Sequence, residues 1–163
     1  GAGRLPGLVT LIIDTLKGVV VVTLIANYSY TYVHMLDYDF YRSSLGLVVI
    51  CGHIWNVFLG FKGGKGVATA IGVLAITAPP ALLISLVAWV IIFSLTNYVS
   101  LASIIFSISL PIWSTICGES IYVILCNVLI CSILTYKHRE NISRLVKGVE
   151  KKTFIFKKVQ PFK

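Results

Sequence analysis

Residues 67–95, "VATAIGVLAITAPPALLISLVAWVIIFSL", hold no charged side chain and carry two adjacent prolines near their centre. Their reading decides the fold. As one helix they would cross a bilayer once. Pro79 and Pro80, however, remove two backbone donors and disfavour helix in the residue that precedes them. The stretch therefore reads as two apolar segments, 67–78 and 81–95, that meet at the prolines. Parity is at stake. One crossing separates the lysine- and glycine-rich loop at 62–66 from "TNYVS" at 96–100, whereas two crossings return both to one face.

Working outward, four further apolar stretches occupy 5–27, 44–61, 99–116 and 121–136. Of the 163 residues, 57% are hydrophobic and 12% charged, and the mean hydropathy is +0.91. Soluble domains carry roughly 25% charged residues. The composition excludes an ordinary soluble domain. It predicts an all-α, polytopic membrane bundle of about six spans, forming a single domain over 1–163. Several stretches fall below the ~20 residues of a full crossing, so they must borrow flanking residues, tilt or thin the bilayer.

Charge gives the expected orientation. Nine of the fourteen Lys and Arg residues lie in the basic segment 137–163. On a soluble chain such a tail would suggest nucleic acid. After several spans it marks the cytoplasmic side, and no nucleic-acid partner is expected. Counting back from a cytoplasmic C-terminus puts "GES" (118–120) outside, "TNYVS" inside, Pro79-Pro80 outside and the lysine loop inside. The Tyr/Asp-rich loop 28–43 then falls outside and Arg4 inside. Every Lys/Arg cluster except the lone Arg42 lands inside, while Asp37, Asp39 and Glu119 land outside.

Within the first span, "DTLKG" sets Asp14 and Lys17 three apart on one helical face. Either they neutralise each other against the bundle, or they serve a polar site, since intramembrane charges are costly. The four cysteines form no C-x-x-C pair and read as packing residues, without a disulfide or metal site. The first apolar run follows Gly1 almost at once, so an N-terminal part is expected to be missing.

Three polar clusters could carry chemistry. In "FKGGKG" (61–66), glycines allow close backbone approach so that amides can point at one anion, and Lys62 and Lys65 add charge. The spacing is not that of an ATP-binding phosphate loop, because Gly60 to Gly64 is one residue short and Gly66 follows Lys65. A flexible positive-inside turn would look the same. In "TNYVSLAS" (96–103), Ser100 and Ser103 begin a span, where free amides suit an anion, but simple capping by Thr96 or Asn97 fits equally. In "KHRENISRLVKGVEKK" (137–152), Ile142, Leu145, Val146 and Val149 form an amphipathic stripe suited to a membrane surface. His138 and Asn141 precede Ile142 and Leu145 by one turn, which puts both near the inward face. All three clusters fall on one face of the membrane under a topology drawn from charge alone.

The segments "GHIWNVFLGFKGGKGVATAIG" (52–72), "TNYVSLAS" and "HRENISRLVKGVEKK" (138–152), with "DTLKG" in weaker support, resemble the bacterial acyl-phosphate:glycerol-3-phosphate acyltransferases. The resemblance implies an integral enzyme of the bacterial cell (inner) membrane that acts in phospholipid synthesis. It would move a fatty acyl group from acyl phosphate to the sn-1 hydroxyl of glycerol 3-phosphate, releasing lysophosphatidic acid and phosphate. Neither acyl-CoA nor acyl carrier protein would be the donor, and no cofactor or metal is expected. Partners would be the two substrates and membrane lipids. A complete family member would have about seven spans, with an earlier Gly/Asn/Thr-rich motif ending in arginine that this chain lacks. Two further departures are Trp55-Asn56, where the family usually has an aromatic residue and proline, and Asn97 in place of a usual glycine.

Carried onto this sequence, the resemblance assigns Lys62, Ser100, His138 and Asn141 to catalysis, with His138 handling the proton. Gly63, Gly64, Lys65, Gly66, Thr69 and Arg139 would bind substrate phosphate. Lys62 ranks ahead of Lys65 because it leads directly into Gly63-Gly64. A competing class is a small membrane transporter for an anionic solute, with Pro79-Pro80 marking broken helices. No internal inverted repeat between 5–61 and 67–136 supports it.

Overall fold

A computed structural model describes residues 4–154, so the last part of the basic segment, 155–163, lies outside the described residues. The apolar stretches become helices, with no strand among the described residues. Helix α1 (Arg4–Val20) runs through one π-helical turn (Val21–Ile25) into α2 (Ala26–Tyr30), giving an apolar rod of 26 residues from Leu5 to Tyr30. The others are α3 (Tyr38–Ile54), α4 (Val67–Thr77), α5 (Pro79–Thr96), α6 (Val99–Ile116), α7 (Ile121–Lys137) and α8 (Arg139–Val146).

The two-segment reading of 67–95 holds. Ala78 leaves the helical region (φ −151°, ψ 61°), and Pro79 opens α5 at its first position, where a missing amide costs nothing. About six spans are expected from the sequence. Four helices can cross on their own, or five if α7 and α8, bent by 58°, count as one broken span. At 11 residues, α4 covers about 16 Å, roughly half a bilayer core.

This short helix survives because it is tightly held. A Cβ on Gly18 of α1 would sit 2.5 Å from the Thr69 carbonyl oxygen, and one on Gly72 of α4 would sit 2.0 Å from that of Thr15. The two backbones thus touch, the way small residues pack helices where lipid removes the hydrophobic drive. Polar contacts join the rest. Trp89 Nε1 donates to Ser103 Oγ (3.2 Å) between α5 and α6, and Asn127 Nδ2 donates to Ser114 Oγ (2.6 Å) between α7 and α6.

At one end of the bundle, the Asp37 side chain caps α3 by accepting from the Phe40 amide (3.0 Å), and Phe40 packs on Tyr122 beside "GES" (centroids 5.5 Å apart). The lysine loop, the α5–α6 junction and the α7–α8 bend gather at the other end around one cavity. Val67 and Trp89, each eleven positions from Ala78, both line it. The lining continues inward to Ile71 on α4 and Leu86 on α5, so the cavity reaches more than two helical turns below the end of α5.

Candidate active site

The cavity has a volume of about 1190 Å³. Five cations (Lys17, Lys62, Lys65, Arg144 and Lys151) line it against two carboxylates, Asp14 and Glu150, and Ile71, Leu86 and Phe106 form apolar wall. A net positive, partly desolvated recess suits a phosphate group joined to something greasy.

The glycine loop works differently from the sequence expectation. Gly63 donates its amide to the Ile54 carbonyl (3.2 Å), so that donor is spent. A Cβ on Gly63 would lie 1.9 Å from the His53 carbonyl oxygen. Glycine is needed here for close backbone approach, while positive φ belongs to Gly60, Phe61 and Gly66. The amides of Gly64, Lys65 and Gly66 enter no backbone hydrogen bond among the described residues. Gly66 is the residue before α4, and its left-handed conformation (φ 89°) turns the chain into the helix. Three amides without a partner thus lie at a helix N-terminus, where the dipole adds positive potential.

Lys65 extends from this nest to Asn141, donating from Nζ to Oδ1 at 2.5 Å. Burial lowers the pKa of Lys65, Glu150 raises it again, and Arg144 lowers it, with a net downward shift. Lys62 lines the cavity, and its ammonium makes no hydrogen bond among the described residues. Geometry thus joins Lys65, rather than Lys62, to the side chains around Asn141. Two other expected phosphate-binding residues lie off the cavity wall. Thr69 is fully buried against α1 and is absent from the cavity wall. Arg139 points away from the site, its guanidinium 4.5 Å from the Tyr136 ring centroid.

His138 and Asn141 do face inward, at 2% and 7% exposure. His138 sits at the α7–α8 bend with Nδ1 2.8 Å from the Leu134 carbonyl. A carbonyl only accepts, so Nδ1 carries the proton and Nε2 keeps a lone pair. Asn141 spends both ends of its amide. It accepts from Lys65 and donates to Glu150 Oε1 at 2.6 Å.

Glu150 was not singled out from the sequence, and it is the hub. Oε1 also accepts from Ser100 Oγ (2.7 Å), and Oε2 accepts from Arg144 Nε (2.6 Å). Burial works against its ionised form, but these three hydrogen bonds and the Arg144 charge prevail and hold its pKa at about 2. The Ser100 hydroxyl proton is thus engaged by Glu150. The chain reaches this point through a helix stop. Gly148 turns left-handed (φ 70°) and the Val149 amide bonds back to the Arg144 carbonyl (2.9 Å). Such a glycine-terminated end reverses the backbone. Val149 thus falls outside the amphipathic helix expected to include it. The tail then crosses to α5–α6, where the Thr153 amide donates to the Asn97 carbonyl (2.8 Å).

The departures are also accounted for. Asn97 ends α5 in a left-handed conformation (φ 60°, ψ 16°), which favours glycine and tolerates asparagine. Asn56 caps the 3₁₀ turn Val57–Leu59 by accepting from the Phe58 amide (2.9 Å).

Residues 1–148 match the family model described as glycerol-3-phosphate acyltransferase. The chain belongs to the glycerol-3-phosphate acyltransferase family. It is 36% identical over 148 residues to the glycerol-3-phosphate acyltransferase of Desulforamulus reducens, covering 91% of this chain and 70% of that one. With that of Geotalea daltonii the identity is 40% over 148 residues, covering 91% and 73%. Among solved structures it resembles PlsY (YgiH), an integral membrane glycerol 3-phosphate acyltransferase, in its glycerol 3-phosphate form. The TM-score is 0.82 and the identity 35%, with 94% of this chain and 74% of that one covered. The lysophosphatidic acid form gives a TM-score of 0.81 at 36% identity. The chain is accordingly a multi-pass membrane protein of an acyltransferase family, which displaces the transporter reading.

Proposed function

We propose that the cavity transfers a fatty acyl group from acyl phosphate to the sn-1 hydroxyl of glycerol 3-phosphate. The carrying observation is the set of three unpartnered amides, Gly64 to Gly66, at the start of α4 beside the Lys65 ammonium. Such a nest binds a phosphate without needing a side-chain nucleophile.

In this reading the acyl chain lies along Ile71, Leu86 and Phe106, and its phosphate rests on the nest and Lys65. Lys62, Arg144 and Lys151 supply charge for the phosphate of glycerol 3-phosphate. The glycerol hydroxyl oxygen attacks the acyl carbonyl carbon as the acyl–phosphate C–O bond breaks. The hydroxyl proton passes to Nε2 of His138 and on to the departing phosphate. Phosphate is already a good leaving group, so binding and electrostatic stabilisation suffice without a covalent serine intermediate. The cavity opens to the cytoplasm in this reading, as the Lys/Arg distribution supports.

The test is donor choice. Full-length protein, purified free of other acyltransferases, should form lysophosphatidic acid from glycerol 3-phosphate with acyl phosphate and not with acyl-CoA. Equal rates with acyl-CoA would refute the donor assignment.

A further inference from the structure

Beneath the glycine loop lies a second polar cluster, from α1 and α3, that the transfer chemistry above does not use. Lys17 Nζ is 2.7 Å from Asp14 Oδ1 and 2.6 Å from His53 Nδ1, and Asp14 Oδ1 is 3.5 Å from the same ring nitrogen. All three residues line the cavity. The ion pair is thus not closed on itself. It reaches across to a histidine that the sequence pattern placed next to the glycine motif.

Chemistry fixes the proton on this ring. An ammonium has three donors and no acceptor, so at 2.6 Å it can meet Nδ1 only as a lone pair. The ring proton must then sit on Nε2, because the hydrogen bond at one nitrogen sets the tautomer at the other. Nε2 lies against the glycine loop. A Cβ on Gly64 would be 2.3 Å from it, and it has no hydrogen-bond partner among the described residues. His53 and His138 therefore carry opposite tautomers on one cavity, a donor N–H at His53 and a lone pair at His138.

We propose that Asp14 and Lys17 hold His53 as a neutral Nε2–H donor beside Gly64, where it binds a phosphate oxygen of the substrate alongside the amide nest. Lys17 fixes the tautomer and Asp14 holds the Lys17 ammonium in place, so both are positioning residues. Charged groups are expensive within a span, and a role at the site accounts for keeping two of them there. Gly64 is glycine because any side chain would displace the His53 ring. The proposal rests on the phosphate-cradle reading. The oxygen belongs either to acyl phosphate or to glycerol 3-phosphate.

The experiment uses full-length protein with ¹⁵N-labelled histidine in detergent micelles, the His53 signals being assigned with His53→Gln. Nδ1 of His53 should appear unprotonated and Nε2 protonated, with the reverse at His138. Adding glycerol 3-phosphate or inorganic phosphate should shift the His53 Nε2 signal. This readout needs no turnover, so it stands even if the donor assignment fails. Kinetically, His53→Ala should lower kcat/KM by about 10- to 100-fold, as for loss of one donor to a charged group. His53→Gln, whose amide nitrogen reaches the Nε2 position, should recover most of it. Separate KM values for acyl phosphate and glycerol 3-phosphate identify which phosphate His53 holds. Lys17→Met should move the ring proton to Nδ1, toward Asp14, and cost about as much as His53→Ala. A protonated Nδ1 in the wild type, a His53 signal unmoved by phosphate, or His53→Gln as impaired as His53→Ala would overturn the proposal. So would a loss in Lys17→Met with the tautomer unchanged, since Lys17 would then act on substrate directly.

Discussion

Gly63→Ala tests how the glycine loop is built. The new Cβ would meet the His53 carbonyl oxygen at 1.9 Å and the Ile54 carbonyl oxygen at 2.8 Å, both backbone atoms at the end of α3. Ordinary contact begins near 3.4 Å, so loop and helix must part by about 1.5 Å, and a packed interior yields little of that for free. The shift breaks the Gly63–Ile54 hydrogen bond and carries the Gly64–Gly66 amides away from Lys65. Overpacking of this kind costs about 1–3 kcal/mol of stability. A misplacement of ~1 Å in a positioning element costs roughly 100-fold in rate. The assay is kcat/KM for glycerol 3-phosphate in purified variants, with thermal unfolding measured on the same samples. Gly52→Ala, next to His53 on α3 with nothing within 4 Å of its Cβ, is the matched control and should behave as wild type. A folded Gly63→Ala variant within threefold of wild type would refute the close-approach argument.

Lys65→Ala should lower kcat/KM by about 30- to 1000-fold, whereas Lys62→Ala should cost under about tenfold. The opposite order in steady-state kinetics would return the anchoring role to Lys62. Burial lowers the pKa of Lys65, so the alkaline limb of the rate profile should begin below that of an ordinary lysine, and Lys65→Arg should move it upward. Glu150 has a folded pKa of about 2 against an ordinary 4.5. The stability it lends the tail is full above about pH 4.5 and is lost as pH falls toward about 2. Limited proteolysis at 147–153 should accelerate across that window, and Glu150→Gln should be cleaved rapidly at every pH. For orientation, single cysteines at 64 and 119 should label from opposite sides of the membrane, and labelling from one side would contradict the assigned topology.

Helix positions were legible because apolar length and tandem prolines act locally. Pro79 and Pro80 announce a helix start whatever surrounds them. The depth of α4 was not legible. It depends on Gly18 and Gly72 meeting across two helices, and a lone glycine in an apolar run carries no sign of its partner. The site shows the same division. Clustering of the lysine loop, Ser100 and the His138–Asn141 turn followed from charge parity. The burial of Thr69 is not legible, because its orientation depends on which face of α4 packs on α1. The contact of Lys65 with Asn141 is not legible either, because adjacency to glycines in sequence says nothing about where an ammonium reaches. Glu150 could have been noticed as a lone acidic residue two positions after a glycine in a basic tail, a pattern in which the helix stops and the chain doubles back.

The most direct test of the account is the stoichiometry of a single reaction mixture. Purified full-length protein given acyl phosphate and glycerol 3-phosphate, with a chelator present, should form one lysophosphatidic acid and one inorganic phosphate for each acyl phosphate consumed. Phosphate release without matching lysophosphatidic acid, or no reaction of acyl phosphate at all, would contradict it.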